Sequence, residues 1–311
     1  MCAVLNKLGN LQTTRHLAVL VLAIGWFYAQ GPELVRHPAE RLGDAMDASL
    51  NAWIMAWDTE AILHRGGRVW DAPIFHPAAN TLALSEPMFG NLWIALPVNA
   101  LTGNPVLAAN CHILAAFVLS MYSTWLLVRR WTGHWLAGVV AGLLFSFNPV
   151  RWGQLEHMQL LPFYWAPLAL LGLHSYLRWP SPRAALGTAA ALVAQYYTSI
   201  NLGTILLAVL LVFAGCHILL ERRGWDRFFF VRSSRARWAV ILSGVFLAAA
   251  LFPLMRPYTR ILRDWNFART ESDCVTHSCE PLSFVVPPAS SGRYHEWHDV
   301  WAGRIAHPLS L

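Results

Sequence analysis

Charged residues are scarce in this 311-residue chain: they make up 13% of it, about half the share of a typical soluble domain. The chain has only five cysteines, too few for a disulfide-stabilised secreted scaffold. Its aromatic share of 13% excludes an intrinsically disordered chain, because disordered chains are poor in aromatic residues. A phosphate-binding glycine loop, a dinucleotide fingerprint and a nucleophile elbow are also missing, so no motif indicates nucleotide chemistry.

Hydrophobic residues are abundant instead, at 56%, with 16 tryptophans and a mean hydropathy of +0.41. This composition predicts an all-α fold, a polytopic transmembrane helix bundle of about seven spans. We expect the spans at Leu17–Tyr28, Pro105–Val128, Trp135–Phe147, Leu160–Leu177, Ala184–Thr198, Ile200–Leu220 and Trp238–Met255. The segment Met88–Leu101 is also apolar, but prolines and asparagines interrupt it. We interpret it as an interfacial or re-entrant helix, with an eighth span as the alternative.

The net charge of +6 suggests nucleic-acid binding until the charges are placed along the chain. With seven spans and a cytoplasmic N-terminus, the cytoplasmic segments are 1–16, 129–134, 178–183 and 221–237. They carry 12 of the 23 basic residues and only two acidic ones. Basic residues in short loops set membrane orientation. The charge therefore predicts a multi-pass membrane protein with a cytoplasmic N-terminus, with the bilayer as partner and no nucleic acid. In a bacterium the protein would lie in the inner membrane, and its external face would be periplasmic or extracellular.

Two long segments then lie outside the membrane, at residues 30–104 and 257–311. We divide the chain into a transmembrane module, 1–256, which includes the first external loop at 30–104, and an external C-terminal segment, 257–311. Within the loop, Ala48–Leu63 carries Trp53 and Trp57 on one helical face. This pattern predicts an amphipathic helix on the membrane surface, where tryptophan is enriched.

The first external loop also carries candidate catalytic carboxylates. Asp44 follows a glycine just before the predicted helix, and it is our candidate for a general base that acts on an acceptor hydroxyl. Asp47 is the rival candidate, or a helix-terminal acid that complements the dipole. Asp71 and Glu86 could position sugar hydroxyls or a divalent cation. The alternative for each carboxylate is a solvated loop acid without a function.

A second external hairpin, 148–159, contributes further polar residues at the mouth of the predicted bundle. His157 could orient a substrate hydroxyl or a phosphate, and Gln159 lies beside it in the sequence. The alternative is a capped hairpin in which Arg151 pairs with Glu156. No ligand spacing here is diagnostic of a metal, so the metal site stays unknown.

Three arginines follow the last predicted span, and they would share one face of a helix at the outer surface. Arginine binds phosphate in a bidentate manner, so this stripe is a candidate site for a lipid phosphate, with headgroup anchoring as the alternative. The stripe consists of Arg256, Arg260 and Arg263, and Tyr258 lies within it. Further along, Cys274 and Cys279 could form a disulfide outside the cell.

An ordered series of short motifs runs through nearly the whole chain. It comprises Gly43-Asp44 before a tryptophan-containing helix, Pro73-Ile74-Phe75-His76-Pro77, Ser85-Glu86, Gly103-Asn104-Pro105-Val106-Leu107-Ala108-Ala109-Asn110, Phe145-Ser146-Phe147-Asn148-Pro149, Gln154…His157…Gln159-Leu160 and Pro257-Tyr258. Together these motifs resemble the YfhO-like bacterial branch of the glycosyltransferase C superfamily.

The resemblance implies a polytopic enzyme with seven spans, a polyprenyl-phosphate-linked sugar as donor and an unidentified acceptor glycan, lipid or protein. It places the family's loop acid on Asp44, with Asp47 as the rival and Asp71 or Glu86 as a second acid. It implies that Arg256, Arg260 or Arg263 binds the phosphate group of the donor. Relatives run well beyond this length, so we expect a fragment, a frameshifted product or a minimal version. The other functions to consider are a transporter or flippase for a lipid-linked sugar and a non-catalytic relative.

Overall fold

The computed structural model describes residues 2–42, 47–220, 234–266 and 300. The described part of the chain contains helices and turns and no β-strand, which confirms the all-α prediction. The helices are α1 Cys2–Gln30, α2 Pro32–Arg36, α3 Asp47–His64, α4 Leu92–Thr102, α5 Pro105–Thr132, α6 Trp135–Ser146, α7 Pro149–Trp152, α8 Trp165–Arg178, α9 Pro182–Thr198, α10 Ile200–Leu220 and α11 Ser234–Trp265. Three 3₁₀ turns lie at Thr81–Leu84, Phe89–Asn91 and Met158–Leu160.

Among the described residues, four helical segments are long and apolar enough to cross a bilayer. They are Pro105–Thr132, Met158–Arg178, Ile200–Leu220 and Arg237–Trp265. The three other predicted spans also fall in helices, namely α1, α6 with 12 residues and α9 with 17 residues. The segment from Met88 to Leu101 forms a 3₁₀ turn and the 11-residue helix α4, which is about 16 Å long at 1.5 Å per residue.

Helices α10 and α11 expose many apolar side chains, and several polar side chains are buried beside the apolar core. Only 33% of the apolar window of α10 and 11% of that of α11 is buried in the protein. The buried set, by contrast, includes Asn51, Asp58, Asn110 and Gln195. Contiguous apolar faces of this size are unusual on water-soluble monomers. The distribution therefore suits a lipid environment around α10 and α11.

Helices α5 and α6 form an antiparallel pair, and local sequence features determine where α5 begins and ends. The Asn104 side chain accepts the backbone N–H of Leu107 at 2.9 Å and caps α5, and the helix ends at Gly133 with φ of 76°. A Cβ on Gly138 or Gly142 would lie 2.8 Å from backbone oxygens of α5. These two glycines therefore permit the close helix contact that their spacing predicts.

The regions that are predicted to be external pack onto this bundle. Helix α3 contacts α4, α5 and the Met158–Leu160 turn, and the predicted helix Ala48–Leu63 lies within it. Trp57 is buried and donates from Nε1 to the Val69 carbonyl at 2.8 Å, whereas Trp53 stays part-exposed. Helix α11 continues past residue 256 to Trp265, so the first nine residues of the expected C-terminal segment are helical. Cys274 and Cys279 lie outside the described residues.

Candidate functional site

The structure describes only one of the two candidate catalytic residues, Asp47. Asp44 lies outside the described residues. Asp47 is the first residue of α3 and is about half exposed, with its carboxylate at the positive end of the helix dipole. The position agrees with both sequence interpretations of Asp47, as a helix-terminal acid and as an accessible base.

Three predicted site residues come together where α3 meets the second external hairpin. His157 Nε2 lies 3.2 Å from Asp47 Oδ2. One helical turn further along α3, Asn51 Nδ2 donates to Gln159 Oε1 at 2.7 Å and to the backbone oxygen of Glu156 at 3.3 Å. We call these five residues the clasp. It places an imidazole, two carboxylates and two amides side by side, and these are side chains that can hydrogen-bond to hydroxyl groups.

Arg151 stabilises the hairpin that supplies His157 and Gln159 to the clasp. Its Nη2 donates to the carbonyl oxygens of Leu161 at 2.6 Å and Ala116 at 3.3 Å. The guanidinium also lies 5.0 Å from the centre of the Phe117 ring. Burial lowers the pKa of Arg151 to about 9, so the group stays charged at neutral pH. The pairing of Arg151 with Glu156 considered above is therefore not formed, because backbone carbonyls take the guanidinium.

Glu86 and Tyr258, two further predicted site residues, come together at the end of α11. Tyr258 donates from its hydroxyl to the Ser85 carbonyl at 2.7 Å. Glu86 Oε1 accepts the backbone N–H of Asn201 at 2.9 Å and caps α10. Burial raises the pKa of the Glu86 carboxyl, although its hydrogen bonds to the α10 N-terminus oppose the shift. Glu86 thus joins the first external loop to the α9–α10 junction.

Asp58 is a buried acidic residue that was not among the site residues predicted from the sequence. Its side chain is 0% exposed, and neither carboxyl oxygen has a hydrogen-bond partner among the described residues. Burial raises the pKa of Asp58 to about 8. Asp58 and Glu86 both lie close enough to the Tyr258 hydroxyl to act on it electrostatically. A buried, strongly shifted carboxyl in an external region marks a candidate functional residue.

The spacing of polar residues along α3 could have identified Asp58 as a candidate site residue. Asp47, Asn51 and Asp58 occupy positions i, i+4 and i+11 of α3, which fall within about 40° of one another at 100° per residue. These residues form a polar stripe about 16 Å long, at 1.5 Å per residue, which the buried Ile54 interrupts between Asn51 and Asp58 on the same face. The clasp lies at one end of the stripe and the Glu86–Tyr258 pair at the other. The candidate site is this stripe together with the side chains that face it.

Asp71 lies apart from the stripe. Its Oδ1 accepts the backbone N–H of Asn80 at 3.0 Å and shapes the turn before Thr81–Leu84. It also borders an open cavity of about 580 Å³ with Trp57, Arg65 and Arg68. Asp71 is therefore a turn-forming acid at the edge of a basic concavity.

Arg256 and Arg260 are exposed on α11, as the stripe of arginines predicts. However, both lie about 160° around the helix axis from Tyr258, at 100° per residue. They therefore face away from the end of the polar stripe. Arg263 lies on the same outward face and is also exposed.

The described residues contain no group of three or more His, Cys, Asp or Glu side chains placed to hold a metal ion. Asp47, Glu156 and His157 approach one another, but a divalent cation needs more oxygen ligands than this group converges on one point. Comparison with known proteins adds no identification: no family model, no curated protein and no solved structure matches the chain.

Proposed function

We propose that this chain is an integral membrane glycosyltransferase that transfers a sugar from a polyprenyl-phosphate donor to an acceptor on the external side of the membrane. The observation that carries the proposal is the clasp, in which Asp47, His157 and Gln159 converge from two external segments. Carboxylate, imidazole and amide groups side by side suit the binding and deprotonation of a sugar hydroxyl. The ordered motifs that resemble the glycosyltransferase C superfamily support the same reaction class.

In the proposed reaction, the carboxylate of Asp44 or Asp47 takes the proton of the acceptor hydroxyl. The acceptor oxygen then attacks the anomeric carbon of the donor, and the bond from that carbon to the phosphate oxygen breaks. The electron pair leaves with the lipid phosphate, and the configuration inverts. The resemblance gives the phosphate to Arg256 or Arg260, since arginine can stabilise the charge that develops there. Both arginines face away from the polar stripe, so the resemblance and not the geometry supports this part of the proposal.

The remaining parts of the proposal concern binding and location. His157, Gln159 and Tyr258 would position the sugar, with Asp71 and Glu86 as further binding groups and a divalent cation as an optional cofactor. The module 1–256 would cross the bacterial inner membrane about seven times, with a cytoplasmic N-terminus and a periplasmic or extracellular site. The segment 257–311 would lie outside. The distribution of arginine supports this orientation.

The test is sugar transfer by membranes that contain the chain, supplied with a radiolabelled polyprenyl-phosphate sugar. We expect Asp47→Asn or Asp44→Asn to lower transfer by about 100-fold or more, the usual contribution of a general base. Glu40→Gln is the matched control, because Glu40 is an exposed acid of the same loop. Transfer at the parental rate in both aspartate variants would contradict the base assignment. Movement of the labelled lipid across the bilayer without transfer would favour a flippase.

Orientation is tested separately with single cysteines introduced at exposed positions of a variant in which the five native cysteines are replaced by serine. Arg68→Cys lies in the first external loop, and Arg130→Cys lies at the far end of α5. In intact cells, a membrane-impermeant maleimide is expected to label the first and to spare the second. Labelling of Arg130→Cys alone would reverse the proposed topology.

A further inference from the structure

A cavity of about 590 Å³ lies between α3, the segment 74–85 and the C-terminal end of α11. We call it the α3–α11 groove. Its size falls in the range of roughly 300–1,000 Å³ that is typical of small-molecule sites. The two helices supply the residues Leu50, Trp53, Ile54, Ile261, Leu262 and Trp265.

The groove is open and apolar, unlike the packed core beside it. Leu50 is 40% exposed and Leu262 is 54% exposed, although both border the same cavity. Large apolar side chains that stay accessible around a concave surface mark binding sites. The groove begins just after the uncharged, apolar run 238–255 of α11, so in the proposed topology it lies where a chain could enter sideways from the outer leaflet.

Phe75 stands at the mouth of the groove in a backbone conformation that bulky residues avoid. Its φ is 60°, and its ring lies 5.9 Å from that of Trp265 in an edge-on contact. The Phe75 side chain is more than half exposed, so burial of the ring does not explain the strain. Backbone strain of this kind tends to be retained at ligand sites.

The electrostatics of the groove indicate which ligand it accepts. None of the described residues that line it carries a charge. At one end, Tyr258 donates to the Ser85 carbonyl, and two carboxyls, those of Glu86 and Asp58, act on the Tyr258 hydroxyl. Neither carboxyl is among the residues that line the groove, so this end offers a ligand the Tyr258 hydroxyl and the Ser85 carbonyl oxygen, and no basic group of the described lining is there to pair with an anion.

An anionic head group would be unfavourable at that end. Burial of an uncompensated charge costs several kcal/mol. The exposed arginines of α11, Arg256 and Arg260, lie about 160° around the helix from Tyr258 and cannot compensate it. A hydroxyl head group avoids this cost, because it is uncharged and can donate a hydrogen bond to a carbonyl oxygen.

We propose that the α3–α11 groove binds the hydrocarbon chain of a membrane lipid whose head group, at the Tyr258 end, is an uncharged hydroxyl. This goes beyond the proposed transferase function and does not depend on it. If the chain is a transferase, the lipid in the groove is a hydroxyl-bearing acceptor and not the phosphate-linked donor.

The experiment uses two photoreactive probes with the same long chain, one ending in a free hydroxyl and the other in a monophosphate. The full chain, in nanodiscs of zwitterionic lipid, is irradiated with each probe, and the labelled peptides are identified by mass spectrometry. We expect the alcohol to label peptides that contain α3 and the end of α11, and the phosphate to label them at least fivefold less. Equal or stronger labelling by the phosphate would overturn the proposal, and so would no labelling of these peptides.

Variants at the groove test the location of the probe. Leu262→Trp and Leu50→Trp each fill the groove from one wall, and both positions are exposed enough to accept the larger side chain. We expect each to lower labelling by the alcohol at least fivefold. Thr259→Trp is the matched control, because Thr259 is exposed on α11 outside the groove. Unchanged labelling in both groove variants would refute the proposal. Asp47→Asn is expected to leave labelling intact, so failure of the catalytic proposal and failure of this one give different results.

Discussion

The side-chain amide of Asn51 donates to Oε1 of Gln159 at 2.7 Å, and these two residues lie 108 positions apart in the chain. The bond fastens α3, which belongs to the first external loop, to the second external hairpin. His157 and Asp47 make the neighbouring contact at 3.2 Å. The clasp therefore has two parallel links, one between neutral amides and one between an imidazole and a carboxylate. They can be broken separately.

The neutral link is expected to contribute to stability in a coupled manner. Asn51→Leu should lower the free energy of unfolding by about 1–2 kcal/mol, because it leaves the Gln159 oxygen without its donor. Gln159→Leu should cost a similar amount. The double variant should cost less than the sum of the two, since the bond between Asn51 and Gln159 is already lost in each single variant. Thermal unfolding of the detergent-solubilised protein measures these differences, and strict additivity would show that the two amides are independent.

Gly90 is expected to tolerate no side chain. A Cβ at this position would lie 2.5 Å from Thr198 Oγ1 and 2.6 Å from the Thr198 backbone nitrogen. Gly90→Ala should therefore destabilise the protein by about 1–3 kcal/mol, as overpacking usually does. Gly187→Ala is the control, because a Cβ on Gly187 in α9 meets nothing within 4 Å. The control should be neutral or slightly stabilising. Equal melting temperatures for the two variants would contradict the close approach.

Asp58 is expected to make stability depend on pH. Burial raises the pKa of its carboxyl from 3.8 to about 8, so the folded protein keeps a proton that the unfolded chain releases. The free energy of unfolding should therefore fall by about 1.4 kcal/mol per pH unit between pH 4 and pH 8, and then level off. Asp58→Asn removes this contribution. The difference in melting temperature between the variant and the wild type should widen from pH 5 to pH 8, and a constant difference would contradict the shifted pKa.

Arg151 is expected to stabilise the hairpin through the shape of its guanidinium group as well as through its charge. Its guanidinium reaches two carbonyl oxygens, those of Leu161 and Ala116, and lies against the Phe117 ring. Arg151→Lys should destabilise the protein by about 1–3 kcal/mol, because lysine is one bond shorter and its ammonium lacks the flat guanidinium surface that lies against the Phe117 ring. Arg68→Lys is the matched control, since Arg68 is exposed. A melting temperature for Arg151→Lys that equals that of the control would refute the role of the guanidinium.

Local sequence patterns were enough to predict the helices. Each of the seven predicted spans overlaps a helix, although the predicted Leu160–Leu177 begins five residues before α8 starts at Trp165, and α3 begins and ends within one residue of the predicted Ala48–Leu63. Hydropathy and helix caps act over short stretches of chain, so they can be read without knowledge of the fold. The small-residue spacing of Gly138 and Gly142 likewise predicted the close contact of α5 with α6.

Burial of a residue by distant parts of the chain could not be predicted from the local sequence in the same way. Asp58 looks like a solvated acid of an amphipathic helix, and only the packing of α3 against its neighbours removes it from water. Tyr258 was grouped with the arginines of the same segment, yet the rotation of α11 turns it toward Ser85 and turns Arg256 outward. Neither outcome follows from the residue alone, because each depends on which face of a helix meets another element.

The sequence by itself therefore determined the helical fold class and the scarcity of charge that suits a lipid environment, because these are properties of composition and short-range periodicity. The tertiary structure decided which polar residues meet. It joined Asp47, Asn51, His157 and Gln159 in the clasp, buried Asp58 beside Tyr258, and left an uncharged groove between α3 and α11. The physical reason is that a contact between distant segments depends on helix rotation and packing, which no local pattern encodes.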